Sequence, residues 1–157
     1  MTGRVSVQAI ESFRGPHFFL SNFYAVEFTV PGLGVVSTSE HAFNALKSTD
    51  PAEQQFVVAA PTPAEAKRRG RSIRLRADWD TGIRVRAMQV VLQHKFVAVD
   101  MRKLLAATDS ARLVEGNTFH DNFWGDCRCG GPRCSESGVN MLGELLMAER
   151  ARDGEFG

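Results

Sequence analysis

The chain has 157 residues, of which 43% are hydrophobic and 24% charged, and its formal net charge is +1 at pH 7. This length and composition suit one ordinary globular domain, and the near-zero charge points to neither a nucleic-acid binder nor a strongly acidic protein. No apolar run approaches the roughly 18 residues that a membrane-spanning helix needs, so such a helix is excluded.

The N-terminal sequence MTGRVSVQAIESFRG lacks the apolar core and cleavage site of a secretory signal. The chain has three cysteines, Cys127, Cys129 and Cys134. An odd number of cysteines without a signal argues against a disulfide framework and for a reducing compartment. We therefore expect a cytoplasmic protein with no membrane partner.

In chain order, the first predicted element is a β-hairpin over residues 25–37, where Val26, Phe28 and Val30 alternate before a Pro-Gly turn. Helices follow. Their starts and stops are indicated by capping residues and their buried faces by apolar spacing. The predicted helices are STSEHAFNALKS, DPAEQQFVVAA, TPAEAKRRG with its stop at Gly70, residues 81–97, DMRKLLAAT, and a last helix from about Val139 to Arg150. We predict a mainly α, compact single domain over residues 1–157 with a small β-hairpin, ending in a flexible tail over 151–157.

A basic run, AKRRGRSIRLR, places six cations between Lys67 and Arg76 with no acid among them. Such a run is often only a solvated helix face. The functional interpretation is a phosphate subsite, because the arginine fork matches phosphate oxygens. Overall neutrality favours a small phosphorylated ligand over a long polyanion.

Glu40 and Lys47 are seven residues apart in a predicted helix, which places them on one face about 10 Å apart. They could be ordinary exposed charges. If that face is buried, the carboxylate could stabilise positive charge on a sugar carbon, and a desolvated lysine could attack an aldehyde-like carbon.

Trp79, in RADWDTG, precedes the long helix and could be packing or a stacking platform for a heterocyclic base. The segment FHDNFWGD (119–126) could be a loop whose aromatic side chains fill the core, or a pocket wall that presents an acid to a substrate.

The motif CRCGGPRC has C-x-C-x4-C spacing and could bind zinc with His120 as a fourth ligand. This spacing departs from the common paired C-x2-C knuckles. We therefore favour a reduced loop, and we predict no metal ligand and no cofactor.

Several segments in collinear order together resemble one family: FRGPHFFLSNFY, SEHAFNALKS, AKRRGRSIRLRADWD, MQVVLQHKF, DNFWGD and GVNMLGELLMAER. The chain resembles the NADAR family, also called YbiA-like, across residues 13–150. The resemblance implies a compact, mostly helical fold and cleavage of N-glycosidic bonds. The implied substrates are ribosylaminopyrimidine phosphates of riboflavin synthesis or ADP-ribosylated guanine, in some members within nucleic acid.

The resemblance also implies site residues. Glu40 matches the family's helix glutamate, Lys47 the lysine after it, Trp79 the tryptophan before the long helix, and Asp121 the aspartate of D-x-x-W-G. Asn22 lies in the LSNF motif, and Asn140 and Gly143 in G-x-N-x-L-G. The cysteine motif is not part of the family pattern.

We therefore predict catalytic roles for Glu40, Lys47 and Asp121, the last as the acid for the leaving base. The predicted substrate-binding residues are stacking aromatics, phosphate-binding arginines and motif asparagines: Trp79, Trp124, Arg14, Arg71, Arg76, Asn22 and Asn140. Direct water attack and a Schiff base on Lys47 both stay open. The alternatives are a non-catalytic ADP-ribose or NAD-binding module and a helical structural protein with a zinc-stapled loop.

Overall fold

A computed structural model describes residues 9–152 of the chain. Its contacts divide the chain into two compact units, one containing Asn22–Ala98 and the other the residues up to Ser21 together with those from Val99 onward. In chain order the elements are β1 (Ala9–Ile10), a 3₁₀ helix (Gly15–Leu20), β2 (Phe28–Val30), β3 (Gly34–Val36), α1 (Ser39–Ala45), α2 (Pro51–Val58), α3 (Pro63–Gly70), a wide π-type turn (Trp79–Ile83), α4 (Arg84–Lys95), α5 (Val99–Ala106), β4 (Arg112–Leu113), β5 (Gly116–Asn117), β6 (Asp126–Cys127), a 3₁₀ turn (Pro132–Cys134) and α6 (Met141–Arg152).

The hairpin in the Asn22–Ala98 unit confirms the prediction for residues 25–37. Strands β2 and β3 pair antiparallel with Phe28 opposite Val36. Gly32, in the connecting turn, has a φ of 86°, a conformation that glycine adopts without a side-chain penalty. Val30 and Val36 are each 1% exposed, so one face of the hairpin contributes to the core.

Local capping explains why α2 and α3 start where the sequence predicted. The Asp50 side chain accepts a hydrogen bond from the amide of Ala52, and the Thr62 side chain accepts one from Glu65. Proline occupies the first turn of both helices, where its missing N–H has no intrahelical partner. Helix α3 ends at Gly70, as predicted.

The long helix is shorter than the predicted 81–97. A wide turn over Trp79–Ile83 precedes α4, and Gly82 within it has a φ of 106°, which interrupts regular helix geometry. Helix α4 packs on α1 and on β2, and its buried side chains include Met88, Val91 and Leu92.

The other unit is built from α5, α6 and short strand pairs that the sequence did not predict. Strand β1 pairs with β4, and β5 pairs with β6, both parallel and only two residues long. Strands this short carry too little periodicity to recognise from sequence. Leu105, Leu113 and Leu146 have no exposed surface and form part of the core.

The mainly α class with a small hairpin is confirmed. Helix α6 extends to Arg152, so the first two residues of the predicted tail are helical. Residues 1–8, which form part of the segment without a signal pattern, and residues 153–157 of the predicted tail lie outside the described residues. Over residues 9–152 no helix combines the length and apolarity that crossing a membrane requires.

Candidate active site

Glu40 lies in the first turn of α1, in the Asn22–Ala98 unit. Thr38 caps this helix by accepting a hydrogen bond from the amide of His41, and the amide of Glu40 donates to the carbonyl of Asn22 at 3.0 Å. The Glu40 side chain is only 9% exposed. The capped helix start therefore holds a carboxyl group in a largely desolvated position.

Asn44, one turn further along α1, holds this carboxyl group. Its Nδ2 donates to Glu40 Oε1 at 3.0 Å and to the Glu40 carbonyl at 2.8 Å. Burial raises the pKa of Glu40, and the Asn44 hydrogen bond and the charges of Lys67 and Lys47 only partly oppose this effect. The raised pKa favours the protonated carboxyl group, which can donate a proton.

Lys47 does not lie on α1, which corrects the prediction that Glu40 and Lys47 share one helix face. The helix ends at Ala45, and the amide of Lys47 donates to the Asn44 carbonyl in the turn that follows. The turn still brings the two charges into interaction, since each influences the pKa of the other. Burial, helped by the positive charges of Arg71 and Lys67, lowers the pKa of Lys47.

Trp79 joins this group through Phe43. The two rings are 5.2 Å apart between centroids with an interplanar angle of 50°, and Trp79 is 5% exposed. The Lys47 ammonium lies 5.9 Å from the centre of the same Phe43 ring. The structure therefore brings Lys47 and Trp79 together around one phenylalanine of the helix that carries Glu40.

Three arginines of the basic run already form ion pairs with nearby acidic residues. Arg68 and Arg69 pair with Glu65, and Arg76 forms a forked pair with Asp78 at 2.5 and 2.9 Å. The carboxylate of Asp78 thus already occupies the fork of Arg76 that was predicted to bind phosphate.

Lys67 and Arg71 differ from these paired arginines, because the positive charge of each helps to lower the pKa of Lys47. They are four residues apart, Lys67 within α3 and Arg71 at its C-terminal cap. Arg71 was predicted from the sequence as a phosphate ligand, whereas Lys67 was not. Both side chains are exposed and carry the positive charge that a phosphate would require.

Gly70 explains how α3 approaches α1 closely enough for these interactions. A Cβ atom at residue 70 would lie 2.5 Å from Asn44 Oδ1 and 2.8 Å from Asn44 Cβ, closer than packed atoms tolerate. Glycine at this position therefore lets α3 pack directly against the residue that holds Glu40.

Asn22 and Ser39 have polar atoms beside Glu40 that lack protein partners. Among the described residues, Asn22 Oδ1 and Ser39 Oγ are buried without a hydrogen bond. Buried polar atoms normally have a partner, and those that do not often mark a site where a ligand or water completes the bonding. Asn44 Oδ1 is unpaired in the same way, and the substrate contact of Asn22 stays a prediction.

A groove of about 620 Å³ lies next to Lys47 in the same unit. The amide of Arg76, one of its lining residues, donates to the Lys47 carbonyl at 2.7 Å. The groove carries both signs of charge, since its lining residues include Arg74 and Arg76 as well as Asp50, Glu53 and Asp78.

Asp121 lies in the other unit, where its carboxylate organises the D-x-x-W-G turn. Asp121 Oδ1 accepts hydrogen bonds from the amides of Phe123 at 3.1 Å and Trp124 at 2.9 Å. The rings of Phe123 and Trp124 pack edge to face at 4.9 Å. Phe119 is 60% exposed and Phe123 and Trp124 are half-buried, so the aromatic side chains of FHDNFWGD do not fill the core as one interpretation expected. The catalytic role of Asp121 stays a prediction.

The Asn140 side chain links two backbone segments of this unit by hydrogen bonds. It is 1% exposed, its Nδ2 donates to the Leu113 carbonyl, and its Oδ1 accepts from the Glu115 amide, both at 2.9 Å. These backbone contacts explain Asn140 structurally and give no support to the predicted substrate contact. Arg14, at the start of the first 3₁₀ helix, is exposed.

Sequence reasoning missed Asn44, Phe43 and Lys67. Asn44 was visible as the residue four positions after Glu40, a spacing at which helical side chains meet. Phe43 and Lys67 gave no comparable signal, because their roles depend on segments far apart in sequence.

A group of metal-ligating side chains, His120 with the three cysteines, lies in the other unit.

Comparison with known proteins places these residues in a family. The NADAR domain matches residues 11–152 of the chain. N-glycosidase YbiA of Escherichia coli (strain K12) is 38% identical over 133 residues, covering 83% of this chain and 78% of YbiA. N-glycosidase Npun_R5314 of Nostoc punctiforme is 38% identical over 120 residues, covering 73% of this chain and 72% of the relative.

Two further similarities extend this picture. The riboflavin biosynthesis protein VVA0006 of Vibrio vulnificus is 37% identical over 137 residues, which are 85% of this chain and 35% of that protein. The solution structure of E. coli YbiA superposes with a TM-score of 0.79 at 32% identity, covering 98% of this chain and 91% of YbiA. The chain therefore belongs to the NADAR domain family.

Proposed function

We propose that the protein is an N-glycosidase that hydrolyses the N-glycosidic bond of a phosphorylated ribosyl substrate. The names of its relatives YbiA and Npun_R5314 support the reaction class. The local chemistry around Glu40 supports it independently.

The observation that carries this proposal is the electrostatic interaction between the buried Glu40 carboxyl group and the largely buried Lys47 amine. Burial raises the pKa of the acid and lowers the pKa of the base, so both groups are shifted toward their uncharged forms. Perturbed acid–base pairs of this kind are typical of catalytic sites, because one group can give a proton while the other takes part as a nucleophile or base.

In the direct route, the ionised Glu40 stabilises the oxocarbenium character that develops at ribose C1, or it takes a proton from the attacking water. The bond between C1 and the base nitrogen breaks, and the base leaves with a proton. Asn44 keeps the carboxyl group in place through the 3.0 Å hydrogen bond. Asp121 remains our proposed proton donor to the leaving base, and substitution tests it separately.

In the second route, the uncharged Lys47 amine attacks C1 of the ring-opened sugar. A bond forms between Nζ and C1, the base is expelled with a proton, and water then hydrolyses the resulting Schiff base to release the sugar phosphate. The lowered pKa of Lys47 supports this route, since a protonated amine is not a nucleophile.

Two groups near Lys47 suit a phosphate. Lys67 and Arg71 both supply positive charge there. Trp79 is 5% exposed and packs against Phe43, which fits the packing interpretation of this residue better than stacking of a planar base on its ring. A ribosylaminopyrimidine phosphate is our preferred substrate, supported by the name of the Vibrio relative. ADP-ribosylated guanine has the same phosphate and N-glycosidic chemistry and is the second candidate.

The test incubates the protein separately with ribosylaminopyrimidine phosphate and ADP-ribosylated guanosine and follows free base and sugar phosphate by HPLC. We expect release from the first substrate, and release only from the second would change the substrate assignment. Binding of both without product would instead support an ADP-ribose or NAD-binding module.

Sodium borohydride added during turnover separates the two routes. A covalent adduct of the sugar phosphate on Lys47, located by mass spectrometry, is the expected result for the Schiff-base route. Turnover without any adduct would remove that route and leave direct water attack.

A further inference from the structure

Four side chains with metal-binding atoms converge outside the candidate active site. His120, Cys127, Cys129 and Cys134 each offer one ligand atom, and these atoms all lie within 4.8 Å of one another. None of the three cysteines forms a disulfide. Three thiols and one imidazole are a donor set that zinc uses in structural sites.

The distances fit a tetrahedral zinc site. With Zn–S near 2.3 Å and Zn–N near 2.0–2.1 Å, a sulfur and a nitrogen on the same ion are about 3.6 Å apart. His120 Nδ1 lies 3.3 Å from Cys134 Sγ and 3.8 Å from both Cys127 Sγ and Cys129 Sγ. All three nitrogen–sulfur distances therefore lie close to the separation that a shared tetrahedral zinc ion would give.

The local backbone is shaped to bring these residues together. His120 has a φ of 71°, an uncommon value for a residue with a side chain, and Gly130 has a φ of 77°. Cys127 is fixed in β6, and Cys134 ends the 3₁₀ turn that follows the glycines. A non-glycine residue in a left-handed conformation often marks a functional constraint.

Hydrogen-bond donors also surround the sulfurs. The amide of Gly131 donates to Cys129 Sγ at 3.4 Å, and Asn122 Nδ2 donates to Cys134 Sγ at 3.3 Å. Such N–H donors stabilise metal-bound thiolates and orient them. Asn122 Oδ1 also accepts a hydrogen bond from the Cys127 amide at 2.8 Å. The Asn122 side chain therefore contacts both Cys127 and Cys134.

We propose that His120, Cys127, Cys129 and Cys134 bind one Zn²⁺ ion in a closed structural site. Four protein ligands leave no open position, so the ion stabilises the loop and takes no part in chemistry. This proposal replaces the sequence-based preference for a reduced loop without metal. Irregular spacing argued against zinc, but the fold brings the four ligand atoms together regardless of spacing.

The proposed zinc site is connected to the D-x-x-W-G turn. Asn122 follows Asp121 directly. Its backbone carbonyl accepts a hydrogen bond from the Val139 amide at 2.8 Å, which links this loop to the residues preceding α6. Zinc binding is therefore expected to stabilise this loop as well as the cysteine segment.

The first test measures metal in protein expressed with zinc in the medium and purified without chelator. Mass spectrometry of the metal content is expected to give about one zinc per chain, as a single four-ligand site requires. The Cys129→Ser and His120→Ala variants should lose most of this zinc, while His17→Ala, a histidine outside the cluster, should keep it. Wild-type protein with less than about a tenth of one zinc per chain, or with iron instead, would overturn the proposal.

The second test is independent of how the variants fold. Cobalt added to metal-free wild-type protein should give the intense visible bands of tetrahedral Co²⁺ and a near-ultraviolet thiolate charge-transfer band, both abolished by one equivalent of zinc. A chelator should lower the Tm of the zinc-loaded wild type, and zinc should restore it. Weak octahedral cobalt bands and a Tm indifferent to zinc would contradict the assignment.

Discussion

Substitution of Glu40 by glutamine separates the chemistry of the candidate site from its stability. Glutamine has nearly the same volume, and its Oε1 can still accept the hydrogen bond from Asn44 Nδ2. What it lacks is the charge and the exchangeable proton. A catalytic carboxyl group typically contributes 10²–10⁴-fold, so we expect turnover to fall by at least about 100-fold, equivalent to about 3 kcal/mol.

The same substitution should stabilise the fold at neutral pH. Weakening one hydrogen bond from charged to neutral costs about 1 kcal/mol. A buried carboxylate carries an effective desolvation penalty of several kcal/mol. Removing the Glu40 charge should therefore give a net gain of about 1–2 kcal/mol in the free energy of unfolding after the weaker Asn44 hydrogen bond is subtracted. For a chain of this size, Tm would then rise by roughly 2–8 °C.

The gain should depend on pH in a defined direction. The pKa of Glu40 is raised above its ordinary value of 4.5 by burial, so the folded chain retains a proton that the unfolded chain loses. The wild type therefore loses stability as pH rises from about 4.5 through the folded pKa, and the advantage of Glu40→Gln appears over that window.

The assay is HPLC turnover with ribosylaminopyrimidine phosphate, combined with Tm measured from pH 4.5 to 8. The matched control is Glu27→Gln, the same change at an exposed glutamate of the same unit. Turnover of Glu40→Gln within tenfold of wild type would refute the catalytic role, and a large fall in Tm would mean that the carboxylate is structural.

Four further predictions follow from other contacts. Lys47→Arg keeps the positive charge but removes the nucleophile, so borohydride adducts should vanish and turnover should fall at least about 100-fold; full turnover would exclude the Schiff-base route. Gly70→Ala forces a Cβ to within 2.5 Å of Asn44 Oδ1 and should cost about 1–3 kcal/mol, a Tm lower by about 2–12 °C. Asp121→Asn keeps the Oδ1 acceptor of the loop, so Tm should hold while turnover falls about 100-fold, whereas Asp121→Ala should lower both. Burial lowers the pKa of Lys95 to about 7 from 10.5, so the folded chain resists protonation and the wild type gains stability as pH rises from 7 toward 10.5; the increase in free energy of unfolding caused by Lys95→Met should therefore be about 3 kcal/mol larger at pH 6 than at pH 9.

Controls for these variants use positions without the same contacts. Gly131→Ala places a Cβ 3.6 Å from Cys129 Sγ, an ordinary packing distance, and should leave Tm unchanged. Lys103→Met, at an exposed lysine of α5, should show no difference between pH 6 and pH 9. A pH-independent Lys95→Met effect, an unaltered Gly70→Ala Tm, or an active Asp121→Asn would each contradict the corresponding argument.

The sequence by itself determined the starts of α2 and α3 and the end of α3, and it pointed to the acid, lysine and tryptophan of the candidate site. Asp50 with Pro51 and Thr62 with Pro63 could be recognised because capping bonds join residues two or three apart. The match to family motifs identified Glu40 and Trp79 for the same reason, since each motif is a short continuous stretch.

Only the tertiary structure decided how those side chains behave. The ion pairs of the basic run with Glu65 and Asp78 are local, since they join residues two to four apart. The proximity of Lys67 and Arg71 to Lys47 depends instead on the packing of α3 on α1. The convergence of His120 with the three cysteines likewise depends on strand pairing and turns that span fifteen residues. Burial and charge are properties of the space around a side chain, and that space is filled by segments distant in the chain, so no local pattern could reveal it.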